Sequence, residues 1–266
     1  TVIQIRDKIR VISSKKKHQF NTFFHKTRIL SPFKKNIEFT NYKKIFESFS
    51  KKIRQGETYQ IKICTKYRNK SKINPINFFW KLMKVNSSPE AFMIRDKDYS
   101  IVSCSPETLI NKKGLNIFTK PIAGTLKKSN GLDKQKALKF FKNNIKETKE
   151  HNMIVDMERS DLSKICKPGT VKIYKKKFVE EYKHLYHYVT LVKGQLINKI
   201  ELKDIIKSMM PGGSVIGCPK IRTLELLNNQ ENEDRNIYTG SFGYIKFNND
   251  MRFNVIIRSI LTYKNI

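Results

Sequence analysis

Apolar and polar positions fall in short blocks along the chain, and the period of each block predicts an element. Between Asn41 and Arg54 the apolar residues Ile45, Phe46, Phe49 and Ile53 share one helical face, and Gly56 closes the helix. From Thr58 to Lys66 the period changes. Tyr59, Ile61 and Ile63 alternate with Gln60, Lys62 and Cys64, which predicts a strand with two distinct faces. Pro75 to Val85 reads as a helix, and Ala91 to Ile94 with Tyr99 to Ser103 as a hairpin. Leu109 to Ile117 and Phe118 to Ile122 predict further strands, ending at Gly124. Leu132 to Met157 predicts one long helix that offers Ala137, Phe140, Phe141, Ile145, Met153 and Ile154 to a core. Pro168-Gly169 marks a turn before a strand at Val171 to Tyr174. His184 to Val192 and Leu202 to Met209 read as helices, followed by a break at Pro211-Gly212-Gly213. Pro219 to Leu227 then reads as a helix, and Tyr238 to Phe247 and Arg252 to Leu261 as paired strands. Residues 1–38 suggest strand and loop, with the basic run Lys15-Lys16-Lys17 and a turn at Ser31-Pro32. Helices and strands interleave without an internal repeat or clear linker, so the fold class is α/β or α+β.

Composition narrows this further. A chain of 266 residues with 39% hydrophobic residues is too apolar for a disordered basic tail and long enough to bury a core. Its formal net charge is +31, from 54 Lys and Arg against 23 Asp and Glu. Such a charge raises the idea of nucleic-acid binding through phosphate neutralisation. However, the basic residues are spread along the whole chain rather than gathered beside stacking aromatics, and no nucleic-acid-binding signature is present. Nucleic acid is therefore not expected as a partner, although the positive field would attract a small polyanion. No apolar run approaches the ~20 residues that span a bilayer, so no membrane partner is expected. Cys64, Cys104, Cys166 and Cys218 form no C-x-x-C pair, which favours reduced thiols in a cytoplasmic setting. The opening Thr-Val-Ile-Gln-Ile-Arg has no initiator Met, which suggests a piece of a longer product.

Several segments could carry chemistry. Pro121-Ile122-Ala123-Gly124-Thr125 places a glycine at a strand end, where a backbone N–H can approach a ligand; taken alone, a plain turn is the simpler reading. Pro211-Gly212-Gly213-Ser214-Val215-Ile216-Gly217-Cys218-Pro219-Lys220 leads glycines and a serine into a helix, an arrangement suited to a carboxylate or phosphate. It is not a P-loop, because Lys220 is followed by Ile221 where that motif needs Ser or Thr. Glu150-His151 through Asp161 puts acids and Arg159 on a largely apolar helix, so some of these charges must be buried and paired, by a cation or a metal. Glu107, after Ser105-Pro106, could give a proton if desolvated, or be a solvated turn residue. His187 lies between Tyr186 and Tyr188 on what reads as an amphipathic helix, where a core histidine is the simpler reading. Arg258 is a cation on the apolar run Val255-Ile256-Ile257 and calls for a buried anion.

Taken in order, these segments resemble the chorismate-utilising enzymes: anthranilate synthase large subunits, aminodeoxychorismate synthase component I, and isochorismate and salicylate synthases. The resemblance runs from about Asn41 to Arg258. It implies two stacked, mainly antiparallel sheets flanked by helices, with 41–266 as a chorismate-binding domain and 1–40 as the remnant of an N-terminal region. Chorismate, a dicarboxylate, would bind with Mg²⁺. Glu107 matches the acid that protonates the departing C4 hydroxyl, Glu150 one of two metal-binding glutamates, and His187 the histidine beside the substrate ring. Tyr238 and Arg258 match the pair gripping one substrate carboxylate, and Gly213 and Ser214 the amide cradle for the other, while Gly124 and Thr125 line the substrate site.

Gln60 stands where isochorismate and salicylate synthases carry a water-activating lysine, which leaves the amine-adding branch. Ala123 stands where aminodeoxychorismate synthases commonly carry a nucleophilic lysine, so a covalent mechanism is excluded there and ammonia must attack C2 directly. Pro-Gly-Gly-Ser at 211–214 and Cys218-Pro219-Lys220-Ile221-Arg222 look more like aminodeoxychorismate synthase. The implied function is thus Mg²⁺-dependent amination of chorismate to 4-amino-4-deoxychorismate, toward p-aminobenzoate and folate, with ammonia from a glutamine amidotransferase subunit. The alternatives are anthranilate synthase component I, toward tryptophan, and a catalytically inactive remnant. Family members usually continue past the Arg258 strand to a second metal glutamate. Since the sequence stops at Ile266 and Ser160 replaces an expected Asn, weak activity or none is expected of it alone.

Overall fold

A computed structural model of the protein describes residues 2–5, 9–12 and 27–263. The basic run at 15–17 lies outside them. Helices α1 (Phe39–Arg54), α2 (Pro75–Val85), α3 (Lys134–Asn143), α4 (Ile145–Ser163), α5 (Leu202–Met209), α6 (Gly213–Ile216) and α7 (Lys220–Asn228) flank two main sheets. The smaller sheet pairs β1 (Glu90–Arg95) with β2 (Tyr99–Ser105), and β2 with β10 (Ser259–Tyr263). The larger sheet contains β3 (Thr108–Lys113), β4 (Asn116–Lys120), β5 (Ile122–Lys127), β6 (Lys172–Glu181), β7 (Leu185–Gln195), β8 (Gly243–Ile245) and β9 (Met251–Asn254). Its spatial order is β5-β7-β4-β3-β9-β8, with β6 on the other edge of β7. Every pairing within the two sheets is antiparallel, so the molecule has the mixed, antiparallel architecture expected. The main core packs Val155 and Leu162 of α4 and Ile205 and Met209 of α5 against Leu109, Ile110, Ile117 and Val192 of the larger sheet.

Several elements differ from the periodic reading, each for a physical reason. His184 to Val192 is not a helix but most of strand β7. Residues 186–190 are all buried, so both faces are lined with core side chains and no alternation survives to mark a strand. The helix expected from Leu132 to Met157 is two helices. Asn144 adopts φ −84° and ψ 104°, and its side chain accepts from the Glu147 N–H, capping α4. Gly114 turns the chain with φ 55° and divides the strand expected at Leu109 to Ile117. Pro121 separates β4 from β5, which continues past Gly124 to Lys127. The strand expected at Thr58 to Lys66 pairs only at Gln60–Ile61, against Gly217–Cys218. The Arg252 to Leu261 run divides between sheets: β9 pairs with β8 and β3, and β10 with β2. Two short links therefore matter. Pro106-Glu107 carries the chain from the smaller sheet to the larger, and 255–258 carries it back. The two crossings lie side by side, since the Val255 N–H donates to Glu107 O at 3.1 Å.

Candidate active site

Glu107 sits in the first crossing. The Ser105 hydroxyl fixes the bend by donating to Val255 O at 2.5 Å and accepting from the Glu107 N–H at 3.3 Å. The Glu107 side chain points inward, where Ser214 Oγ donates to its Oε1 at 2.7 Å. The residue is only 4% exposed, and burial pushes its carboxyl up to about 7, against the opposing pull of Ser214 and the Arg258 and Lys62 charges. Its placement is thus that of a buried acid, not a solvated turn residue. Arg258 occupies the return crossing with φ 53°, a left-handed conformation unusual for a non-glycine residue. Its Nη2 lies 3.2 Å from His187 Nε2. A guanidinium only donates, so Nε2 is the acceptor and the ring proton sits on Nδ1, 3.0 Å from Thr125 Oγ1. Burial and then the Arg258 charge depress His187 to about 4, so the ring is neutral. His187 reaches this position from strand β7 rather than from a helix.

Helix α4 supplies the second carboxylate. Gln60 Nε2 and Lys62 Nζ both donate to Glu150 Oε1, at 2.8 and 3.2 Å. Burial would raise the Glu150 carboxyl, but the Lys62 charge and these two hydrogen bonds outweigh it and hold it below the usual range. Gln60 Oε1 is buried without a partner. The ionised Glu150 carboxylate is a hard-oxygen donor of the kind Mg²⁺ takes, because that ion commonly uses one or two carboxylates plus substrate and water. Among the described residues no cluster of three or more His, Cys, Asp or Glu comes together as a closed metal cage. The two buried acids further along α4 are neutralised in different ways. Asp161 pairs with Lys220 Nζ at 2.8 Å, whereas Glu158 accepts from Thr119 and is pushed by burial up to about 8, so it stays protonated near neutrality.

The glycines have steric duties. Gly124 has φ +96°, and a Cβ there would lie 2.8 Å from Phe141 Cε1. At Gly213 a Cβ would fall 1.9 Å from Met157 Sδ. The glycine-rich segment leads to the helix expected at Pro219 to Leu227, but not directly. The four-residue α6 gives way to the Gly217–Cys218 ladder before α7 starts at Lys220, and its contribution to the acid is the Ser214 hydroxyl. Ala123 is buried among Ile154 and Met157. Tyr238 stands apart, partly exposed, its phenol raised by burial and influenced by Cys64 and Arg235 rather than Arg258. Lys62 was missed as a site residue. Its signal was available, because in an extended segment it shares a face with Gln60.

A family model described as chorismate binding enzyme matches residues 4–266. Aminodeoxychorismate synthase component 1 of Bacillus subtilis is 35% identical over 215 residues, covering 80% of this chain and 46% of that protein. Anthranilate synthase component 1 of Aquifex aeolicus is 33% identical, covering 88% of this chain and 49% of that protein. The crystal structure of anthranilate synthase component I from Streptococcus pneumoniae superposes with a TM-score of 0.78 at 31% identity, covering 88% of this chain and 52% of that one. The chain thus spans about half the length of the relatives it matches. Among the described residues no helix is long and apolar enough to cross a membrane. Since the family model spans nearly every residue and the superposed fold is the same, the chain belongs to the chorismate-binding enzyme family.

Proposed function

We propose that the protein aminates chorismate, giving 4-amino-4-deoxychorismate, as a component I that receives ammonia from a glutamine amidotransferase. The observation that carries this is Glu107: a carboxyl buried at the seam, raised to about 7 and steadied by Ser214, is still partly protonated at neutral pH. It gives its proton to the C4 hydroxyl, which leaves as water while ammonia enters at C2. Arg258 holds one substrate carboxylate, and the neutral His187, locked by Thr125, sets the guanidinium plane. Gly213 and Ser214 face the other carboxylate, with Gly124 and Thr125 lining the ring. Tyr238 would have to turn toward Arg258 to join the grip. Gln60 offers an amide oxygen and no basic amine, so it can orient ammonia but cannot deprotonate water. Glu150 would hold Mg²⁺, which would supply Lewis-acid stabilisation of several kcal/mol.

Ala123 brings no nucleophile, so the C2-aminated adduct is free in the pocket. A second ammonia entering at C4 expels the C2 amine and leaves the enolpyruvyl ether intact. Loss of pyruvate from the same adduct gives anthranilate instead. Ala123 favours that second reading, because anthranilate synthases carry alanine there, whereas the 211–214 and 218–222 segments favour the first. Incubation with chorismate, Mg²⁺ and ammonium, followed by mass spectrometry, tests both. Release of 4-amino-4-deoxychorismate supports the proposal, anthranilate replaces it with the second reading, and isochorismate overturns amination altogether.

A further inference from the structure

The Glu150 side chain is 30% exposed, and its donors engage one of its two oxygens. Both donors that reach it come from one extended segment and converge on the same atom, Oε1. One of them, Lys62, is a full positive charge on a flexible stem, with its side chain 38% exposed. Its charge also acts on the buried Glu107 carboxyl, in the same direction as Arg258. A divalent ion approaching Glu150 by either oxygen therefore meets a monovalent cation already in position on Oε1. We propose that Lys62 is the resident counter-cation of Glu150, and that a divalent metal binds this chain by displacing it. The inference rests on the reading of Glu150 as a metal ligand. The partial exposure of Lys62 makes the displacement feasible, because the released ammonium can swing into water without desolvation.

The test is direct metal binding by the 266-residue chain without substrate, with Mn²⁺ as the probe and free Mn²⁺ counted by electron paramagnetic resonance. Lys62→Met should tighten Mn²⁺ binding roughly tenfold, the scale of one partly screened charge acting at contact distance. Lys62→Arg keeps the charge and should stay near the parent affinity, and Glu150→Gln should fall below both. Thermal melts verify that each variant is folded, and the Arg variant keeps the comparison decisive if Lys62→Met is less stable. If Lys62→Met binds Mn²⁺ no more tightly while Glu150→Gln loses it, the counter-cation inference is overturned and the metal reading stands. If Glu150→Gln binds as well as the parent chain, the metal reading falls and takes the inference with it.

Discussion

Glu107 owes its chemistry to its position between two sheets. Following Pro106, it could have been a water-facing turn residue, and nothing in its sequence neighbours sets its burial. The neighbouring crossing does, since Val255 and Ser105 fix the backbone and Ser214 fixes the carboxyl. A general acid typically contributes 10²–10⁴-fold to rate. Glu107→Gln keeps the Ser214 hydrogen bond and the volume but removes the transferable proton, so turnover should fall by roughly 10²-fold or more while chorismate still binds. Because the required form is protonated and the carboxyl titrates at about 7, the parent rate should decline as pH rises above neutrality. Steady-state kinetics from pH 6 to 9 checks both. Full turnover in the Gln variant, or a parent rate that climbs through pH 8, would remove Glu107 from the acid role.

Helix α4 is the element on which the site depends, since it carries Glu150 at its exposed end and Glu158 and Asp161 deep in the core. The Asp161–Lys220 pair ties α4 to the start of α7, and Lys220 also donates to Ser208 O at the end of α5. Removing one partner of a buried pair leaves an uncompensated charge and costs about 3–5 kcal/mol. Lys164, at 2.9 Å from Asp161 Oδ1, softens this, so Lys220→Met should cost about 3 kcal/mol by urea denaturation. Adding Asp161→Asn should recover much of that loss. A double variant as unstable as the sum of the two single ones would show that the residues are not coupled. The elements of this region were unevenly legible. Periodicity located α1, α2, α5 and the β1–β2 hairpin; in α5 Ile205 and Met209 are buried while Lys203 and Lys207 face solvent. It mistook β7 for a helix because Tyr186, His187, Tyr188, Val189 and Thr190 are all buried, so no polar face records the period. Local residues did mark the α3–α4 break, through the capping Asn144. The site was legible as motifs, Glu107, Glu150, His187 and Arg258 in order. What brings them together is not local: the crossings between sheets depend on pairings more than 100 residues apart in sequence, such as Glu107 with Val255.

At the scale of the whole molecule, buried ionisable groups set how stability responds to pH. Glu107 and Glu158 are raised to about 7 and about 8, whereas His151 and His187 are depressed to about 4. The carboxyls bind protons more tightly folded than unfolded, so their contribution is lost as pH rises from about 4.5 through their folded values. The histidines do the reverse, losing stability as pH falls from about 6.5 through 4. Between about 4.5 and 6.5 the two slopes oppose each other. Above 6.5 the unfolded histidines are neutral and only the carboxyls act, so stability should drop by about 2 kcal/mol between pH 6.5 and 8. Glu107→Gln combined with Glu158→Gln should flatten that drop, since an amide has no proton to lose and still accepts from Ser214 and Thr119. The net charge of +31 supplies an independent lever. Raising NaCl from about 20 to about 200 mM shortens the screening length from roughly 20 to roughly 7 Å and weakens self-repulsion, so the melting temperature should rise at every pH. Urea midpoints across pH in both salts separate the two effects. A parent chain equally stable at pH 6.5 and 8, or a drop that persists in the double variant, would mean that the buried carboxyls do not govern the slope.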